Sequence, residues 1–191
     1  MNSLSNSHYG LTPAPWIMRF APLVTAGARV LDLAAGYGRH ALYFAGRGAR
    51  VVAVDRDAAA LSTYAGTPNV TTIAADLEHG PWPFTAERFD AIVVVHYLHR
   101  ALYSHLVDSL ASDGVLLYET FAHGNAAYGK PSNPAFLLAP GELLDLARER
   151  LTVIAFEQGL VGGERPTVIQ RLAAVGKARS WPVPLSERGL E

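Results

Sequence analysis

Three aspartates in the first eighty residues stand where a carboxylate could do chemistry. Asp32 lies near the end of the apolar run RVLDL, Asp55 ends VVAVD, and Asp76 ends TTIAAD. After Asp32 come two small residues, then Gly36-Tyr37-Gly38, then a helical pattern starting at about Arg39. Glycines at a strand-to-helix turn let the backbone fold back and approach a ligand that a Cβ would block, and the helix start offers unpaired N–H groups. Any nucleotide-like cofactor satisfies that much. Gly36, Gly38 and Ala41 also match the dinucleotide pattern G-x-G-x-x-G/A. Asp32 bears on the choice, because its carboxylate repels a pyrophosphate at the turn and attracts a cation. A charge in a buried strand costs stability unless it has a partner, which weighs against a turn that binds nothing. Asp55, at the edge of the second strand, can accept hydrogen bonds from both hydroxyls of a ribose.

Alternating strand and helix patterns position these groups. Strands are expected at 29–33, 50–54, 70–75, 89–95 and 115–120, and helices at 38–46, 57–64 and 100–111, with Asp57 capping the second helix. The strands are nearly continuous Val, Ile, Leu and Ala, as in a parallel sheet covered on both faces. A short amphipathic helix at 14–24, interrupted by Pro22, precedes them. A helix at 140–150 is followed by strands at 152–158 and 165–174, separated by the glycine-rich stretch 159–163. Strands joined that closely pair antiparallel. The expected fold is therefore α/β: a doubly wound, mostly parallel seven-stranded sheet with a C-terminal antiparallel hairpin. Residues 1–13 form a polar leader, 14–176 the domain and 177–191 a surface tail.

The motif D-x-A-x-G-x-G, Asp32 to Gly38, resembles motif I of class I S-adenosylmethionine-dependent methyltransferases, with Ala34 where glycine is commoner. The stretch GYGRHALYFA is similar to the version in tellurite-resistance-type and related small bacterial methyltransferases. The resemblance covers roughly residues 28 to 175. It implies a Rossmann-like methyltransferase fold, S-adenosylmethionine as cofactor and S-adenosylhomocysteine as product. The cofactor-binding residues it implies are Asp32, Ala34, Gly36, Gly38, Arg39, Asp55, Arg56, Asp76, Leu77 and His96. In that arrangement Asp32 faces the cationic end, Asp55 the ribose, and Asp76 the adenine amino group, with the Leu77 N–H toward the ring. Taken alone, Asp55 or Asp76 also reads as a solvated loop carboxylate.

Methyl transfer from a sulfonium is a displacement at an activated carbon. The protein must position the acceptor, exclude water and, where needed, remove one proton. Candidates belong at the ends of the fourth and fifth strands. The fourth exits into His96-Tyr-Leu-His-Arg100 and lacks an Asn/Asp-Pro-Pro-Tyr/Phe segment, unlike the DNA- and glutamine-methylating enzymes. His96 reads as a cofactor contact, a base, or a cap on the next helix. The long segment 123–139 carries Tyr128, Lys130, Asn133 and Phe136, and reads either as a pocket lid or as a loop packing Phe136 and Leu137 on the sheet. His96 and Tyr128 are the catalytic candidates. Tyr9 and Trp16 could close the same cleft, and Trp16 equally reads as the core anchor of the first helix. His96, His99 and His105 have no carboxylate at ligand spacing, so no metal is expected.

Composition narrows the partners. There are no cysteines, which excludes thiolate catalysis, disulfides and cysteine-ligated metals. A net charge of −1 and no dense Lys/Arg run make nucleic acid an unexpected partner. No secretory signal pattern and no stretch of about 18 apolar residues are present, so a cytoplasmic protein with no membrane partner is expected. The acceptor is read as a small molecule. The soft chalcogen anions of the tellurite-resistance type are not carried over, because the chain departs from that family after the fifth strand. Two other readings stand beside it: a nicotinamide-dependent (NAD) oxidoreductase, from Gly36, Gly38 and Ala41, and a module that holds S-adenosylmethionine without turnover.

Overall fold

The runs RVLDL, RVVAVD and FDAIVVV are short and rich in β-branched residues, and they form the centre of a twisted sheet. The computed structural model describes residues 12–185. Its sheet has seven strands in the order β3-β2-β1-β4-β5-β7-β6. β1 (Arg29–Leu33), β2 (Arg50–Asp55), β3 (Val70–Ala74), β4 (Phe89–Val95) and β5 (Leu110–Phe121) are parallel. β7 (Thr167–Gly176) lies antiparallel between β5 and β6 (Leu151–Val161). The chain winds outward from β1 to β3, then returns to the other side of β1 for β4. That reversal opens a crevice at the carboxyl ends of β1 and β4.

Helices α1 (Pro15–Phe20), α2 (Arg39–Gly46), α3 (Ala58–Ser62), α4 (Tyr103–Asp108) and α5 (Glu142–Ala147) cover the sheet. Strand alternation splits the core into two. Val30, Val93, Leu117 and Val175 pack against Trp16, Ile17 and Phe20 of α1 and Phe44 of α2. Leu31, Ile92, Leu116 and Tyr118 pack against Leu106 of α4 and Leu143 of α5. No helix among the described residues is long and apolar enough to cross a membrane.

Asp57 caps α3 as its residue type demands, accepting from the N–H groups of Ala59 and Ala60 at 3.0 Å each. Trp16 is the core anchor, with its indole N–H donating to the Leu172 carbonyl at 3.2 Å. Tyr9 lies outside the described residues.

Several features differ from the sequence expectation. The helix expected through residue 111 ends at Asp108, because Phe89 pairs with Leu110 and draws the chain into β5. A register shift follows, so β5 starts five residues early. The hairpin strand β6 continues to Val161, with Gly159 paired to Ile169, so the turn is confined to 162–166. The edge strand β3 is only half covered, unlike the continuous burial of β1 and β4. The tail is held as far as Val183: Arg179 donates to the carbonyls of Leu23 and Asp113, and Val183 is buried.

His40, which no sequence pattern singled out, joins α1 to α2. Its Nε2 accepts the Ala14 N–H at 3.2 Å, and the ring is 3% exposed. Burial, with Arg39 nearby, pushes its pKa down to about 3, so folded His40 stays neutral. The unfolded residue titrates near 6.5. Its contribution to stability is therefore present above that value and lost as pH falls toward 3. Between pH 7 and pH 5 this residue alone lowers stability by about 2 kcal/mol. Burial raises the Asp32 pKa to about 7, which tilts the curve the other way, so the test is a difference. In urea titrations, the pH 7 to pH 5 loss should be smaller in His40→Gln than in the native chain by that amount.

Candidate functional site

Asp32 shares a sheet face with Val30, toward α2, and is 1% exposed. Its Oδ2 accepts the Ala41 N–H at 2.8 Å. Gly38, the N-cap of α2, has no side chain to satisfy that helix start, so Asp32 does it from the neighbouring strand. Burial raises its carboxyl to about 7, against the pull of the Ala41 N–H and of Arg39. Asp32 thus lies beneath the turn, sealed from solvent.

Asp55 holds the other side of the same turn. Its Oδ2 accepts from Gly36 N–H at 2.8 Å, and its Oδ1 accepts from Asp57 N–H at 2.9 Å. Between these two carboxylates the backbone is left-handed at Ala34 (φ +54), Gly36 (+52) and Gly38 (+76). The two glycines serve different ends. A Cβ on Gly38 would sit 2.6 Å from Cζ of Tyr64, whereas a Cβ on Gly36 would meet nothing within 4 Å. Gly38 therefore allows α2 to pack on Tyr64, and Gly36 leaves an open face toward the crevice.

Asp76 follows β3. Its Oδ1 accepts from the N–H groups of Glu78 (2.9 Å) and His79 (3.2 Å), and its Oδ2 lies 3.0 Å from His79 Nδ1. These bonds hold its carboxyl below the usual range. A pocket of about 270 Å³ gathers Ala34, Asp55, Arg56, Asp76 and Leu77, five of the residues expected from the sequence. Ala75, Glu78 and Tyr97 complete it. The buried Tyr97 hydroxyl has no hydrogen-bond partner. Nothing in the sequence flagged Tyr97, because only the path of the chain after β4 brings it over the ends of β2 and β3.

His96 follows β4 with φ +57, half exposed, its ring stacked on Phe121 at 4.8 Å between centroids. Burial and Arg39 lower its pKa to about 4. Arg39 is also felt at Asp32 and Glu119, which places its charge between the glycine turn and the end of β5. The structure does not bring Tyr128 to this group. Tyr128 and Phe136 are about half exposed on the 123–139 segment, while Leu137 is buried. That segment is firmly held. Arg100 donates to the carbonyls of Ala135 and Leu137 at 2.9 Å each and makes a two-pronged contact with Glu142. Buried Asn125 donates to the Pro131 carbonyl and accepts from Val168 N–H, both at 3.0 Å. His105 stacks on Trp82, and no group of three His, Asp or Glu residues among the described residues could hold a metal.

These residues fit a nucleoside with a cationic end. They offer carboxylate acceptors at Asp55 and Asp76, an unpartnered hydroxyl at Tyr97 and an open glycine face.

A family model described as a methyltransferase domain matches residues 30–114. TehB from Haemophilus influenzae superposes with a TM-score of 0.74 at 17% identity, covering 89% of this chain and 64% of that one. A TehB-like S-adenosylmethionine-dependent methyltransferase from Corynebacterium glutamicum superposes at 0.64 and 18% identity, covering 88% and 91%. A demethylmenaquinone methyltransferase from Thermobifida fusca is 36% identical over 110 residues, 51% of this chain. The chain spans 45% of that curated relative's length. Over residues 30–114 the chain is thus similar to a methyltransferase domain, and its sheet has the fold of these solved methyltransferases.

The glycine geometry gives a direct test. Gly38→Ala combines a left-handed backbone with a clash against Tyr64, and should cost about 3 kcal/mol or more. Gly36→Ala should cost about 1 kcal/mol through φ alone, yet weaken S-adenosylhomocysteine binding because its methyl enters the open face. Chemical denaturation and titration calorimetry on the two variants should show this crossed pattern.

Proposed function

We propose that the protein transfers a methyl group from S-adenosylmethionine to a small-molecule acceptor, in the cytoplasm and without nucleic-acid or membrane partners. The observation that carries this reading is the pocket itself. Asp55, Asp76 and Glu78 line it against a single Arg56, beside the unpartnered Tyr97 hydroxyl. An acidic pocket suits an uncharged nucleoside attached to a cation and disfavours the pyrophosphate of a nicotinamide cofactor. In this reading Asp55 holds the ribose, and Asp76 with the Leu77 N–H holds the adenine. Ala34, Gly36, Gly38 and Arg39 frame the methionine end, Arg56 forms the rim, and His96 stands beyond it. When bound, the cofactor supplies a carbon activated by a positively charged sulfur. The residues of the chain then orient that carbon, exclude water and shape the acceptor's approach. The curated relative's acceptor, a demethylmenaquinone, is consistent with a small-molecule acceptor here.

Calorimetry decides between the readings. S-adenosylhomocysteine should bind saturably and lose more than tenfold in affinity in Asp55→Ala. Tighter binding of NADH than of S-adenosylhomocysteine would favour an oxidoreductase, and transfer of a methyl group to any acceptor in a substrate panel would reject a module without turnover. Asp32 adds a pH signature. Its ionised form favours a cation, so S-adenosylmethionine affinity should fall as pH drops below about 7. That slope should flatten in Asp32→Asn.

A further inference from the structure

A row of alternating charge crosses the hairpin side of the sheet and ends at the crevice. Pairing register sets Glu119 of β5 beside Arg171 of β7, and Arg171 beside Glu157 of β6. Arg19 Nη1 meets Glu157 Oε1 at 3.1 Å, Glu157 Oε2 meets Arg171 Nη1 at 3.3 Å, and Arg171 Nε meets Glu119 Oε2 at 2.9 Å. Glu119, 5% exposed, is the buried carboxylate of the row. Its contact with Arg171 is misaligned for a hydrogen bond, and neither Oε2 nor Nε has a hydrogen-bond partner. Burial raises the Glu119 pKa, and Arg171 opposes that pull, favouring the ionised carboxylate without saturating it. The other oxygen, Oε1, lies 3.9 Å from His96 Nε2.

Backbone conformation brings the imidazole there. Val95 belongs to the face covered by α1 and α2, so simple alternation would send His96 to the opposite face. Its φ of +57 breaks the alternation and lays the ring on Phe121, on the same side as Glu119. A left-handed non-glycine residue costs stability, and such positions concentrate at functional sites. The charged and titratable groups around the ring are Arg39 and His40 of α2, Glu119 of β5 and, behind Glu119, Arg171 of β7.

We propose that His96 and Glu119 act as an imidazole–carboxylate pair, in which His96 accepts the proton of a hydroxyl or amine acceptor and Glu119 positions the ring and balances the charge it gains. The proposal rests on the methyltransferase reading and names its acceptor class. As the acceptor's lone pair bonds to the methyl carbon, the carbon–sulfur pair passes to sulfur and the acceptor's proton passes to His96. One positive charge leaves sulfur and one arrives on the imidazole. Nε2 faces Glu119, so the accepting nitrogen is Nδ1. Burial and Arg39 keep the ring neutral at rest, its pKa lowered to about 4, so the carboxylate of Glu119 is needed to balance the charge when the imidazole takes a proton. A nucleophile that is already an anion, such as iodide or hydrosulfide, has no use for this pair.

Three measurements on the full chain test the pair: the His96 ring titration by nuclear magnetic resonance, S-adenosylhomocysteine affinity, and methyl transfer to catechol, benzylamine, iodide and hydrosulfide. Glu119→Gln should lower the His96 pKa by about one unit through loss of a neighbouring charge. It should leave S-adenosylhomocysteine affinity within about twofold. Transfer to catechol or benzylamine should fall at least about 100-fold in kcat for His96→Asn, with a smaller drop for Glu119→Gln. An unmoved His96 titration in Glu119→Gln overturns the proposal, whatever is turned over. So does transfer to iodide or hydrosulfide alone, or a tenfold loss of S-adenosylhomocysteine affinity in Glu119→Gln with kcat unchanged. Absence of S-adenosylhomocysteine binding by the native chain overturns the methyltransferase reading instead.

Discussion

A buried carboxylate at the end of β1 accepts the third N–H of the helix that follows it, and the rest of the site depends on that bond. Asp32 does what a side chain on the helix cap would normally do, and so frees the cap position to be glycine. With glycine there, the helix packs directly on Tyr64 and the turn can be left-handed three times in five residues. Asp55 then clasps the near side of the turn at Gly36. One turn is thus held by two carboxylates from two strands, and its open face is directed at the crevice where the winding of the sheet reverses.

This arrangement explains why that part of the site could be read from the chain. The acids at the ends of β1, β2 and β3, and the glycines between Asp32 and Ala41, are fixed by short-range demands: a tight turn, a helix start, a strand end. Residue type and spacing carry those demands directly. The doubly wound, mostly parallel sheet with its terminal hairpin follows as well, because alternating apolar runs and helices admit few topologies. Ala34 shows how far the pattern stretches, since it adopts φ +54 where glycine is commoner.

Other features come from contacts between distant parts of the chain, and no local pattern announces them. His40 looks like an ordinary helical residue until α1 folds over it and offers the Ala14 N–H. Tyr97 gains its place in the pocket from the exit of β4, and Glu119 gains its partners from the antiparallel register of β5, β7 and β6. The start of β5 was hidden for a related reason. Residues 110–114 have the composition of a helix end, and pairing with β4 overrides that preference. The 123–139 segment, loop-like in sequence, is fixed by Arg100 and Asn125 reaching across from elsewhere.

Ala14 is fastened to His40 in the first turn of α2, beside the mouth of the crevice. Arg179 grips carbonyls of Leu23 and Asp113 at the other end of the sheet, where the parallel strands begin. The two fastenings are therefore not equivalent. Loosening the first is passed to the helix start that the glycine turn leads into, whereas loosening the second is felt at the floor of the sheet, away from the crevice.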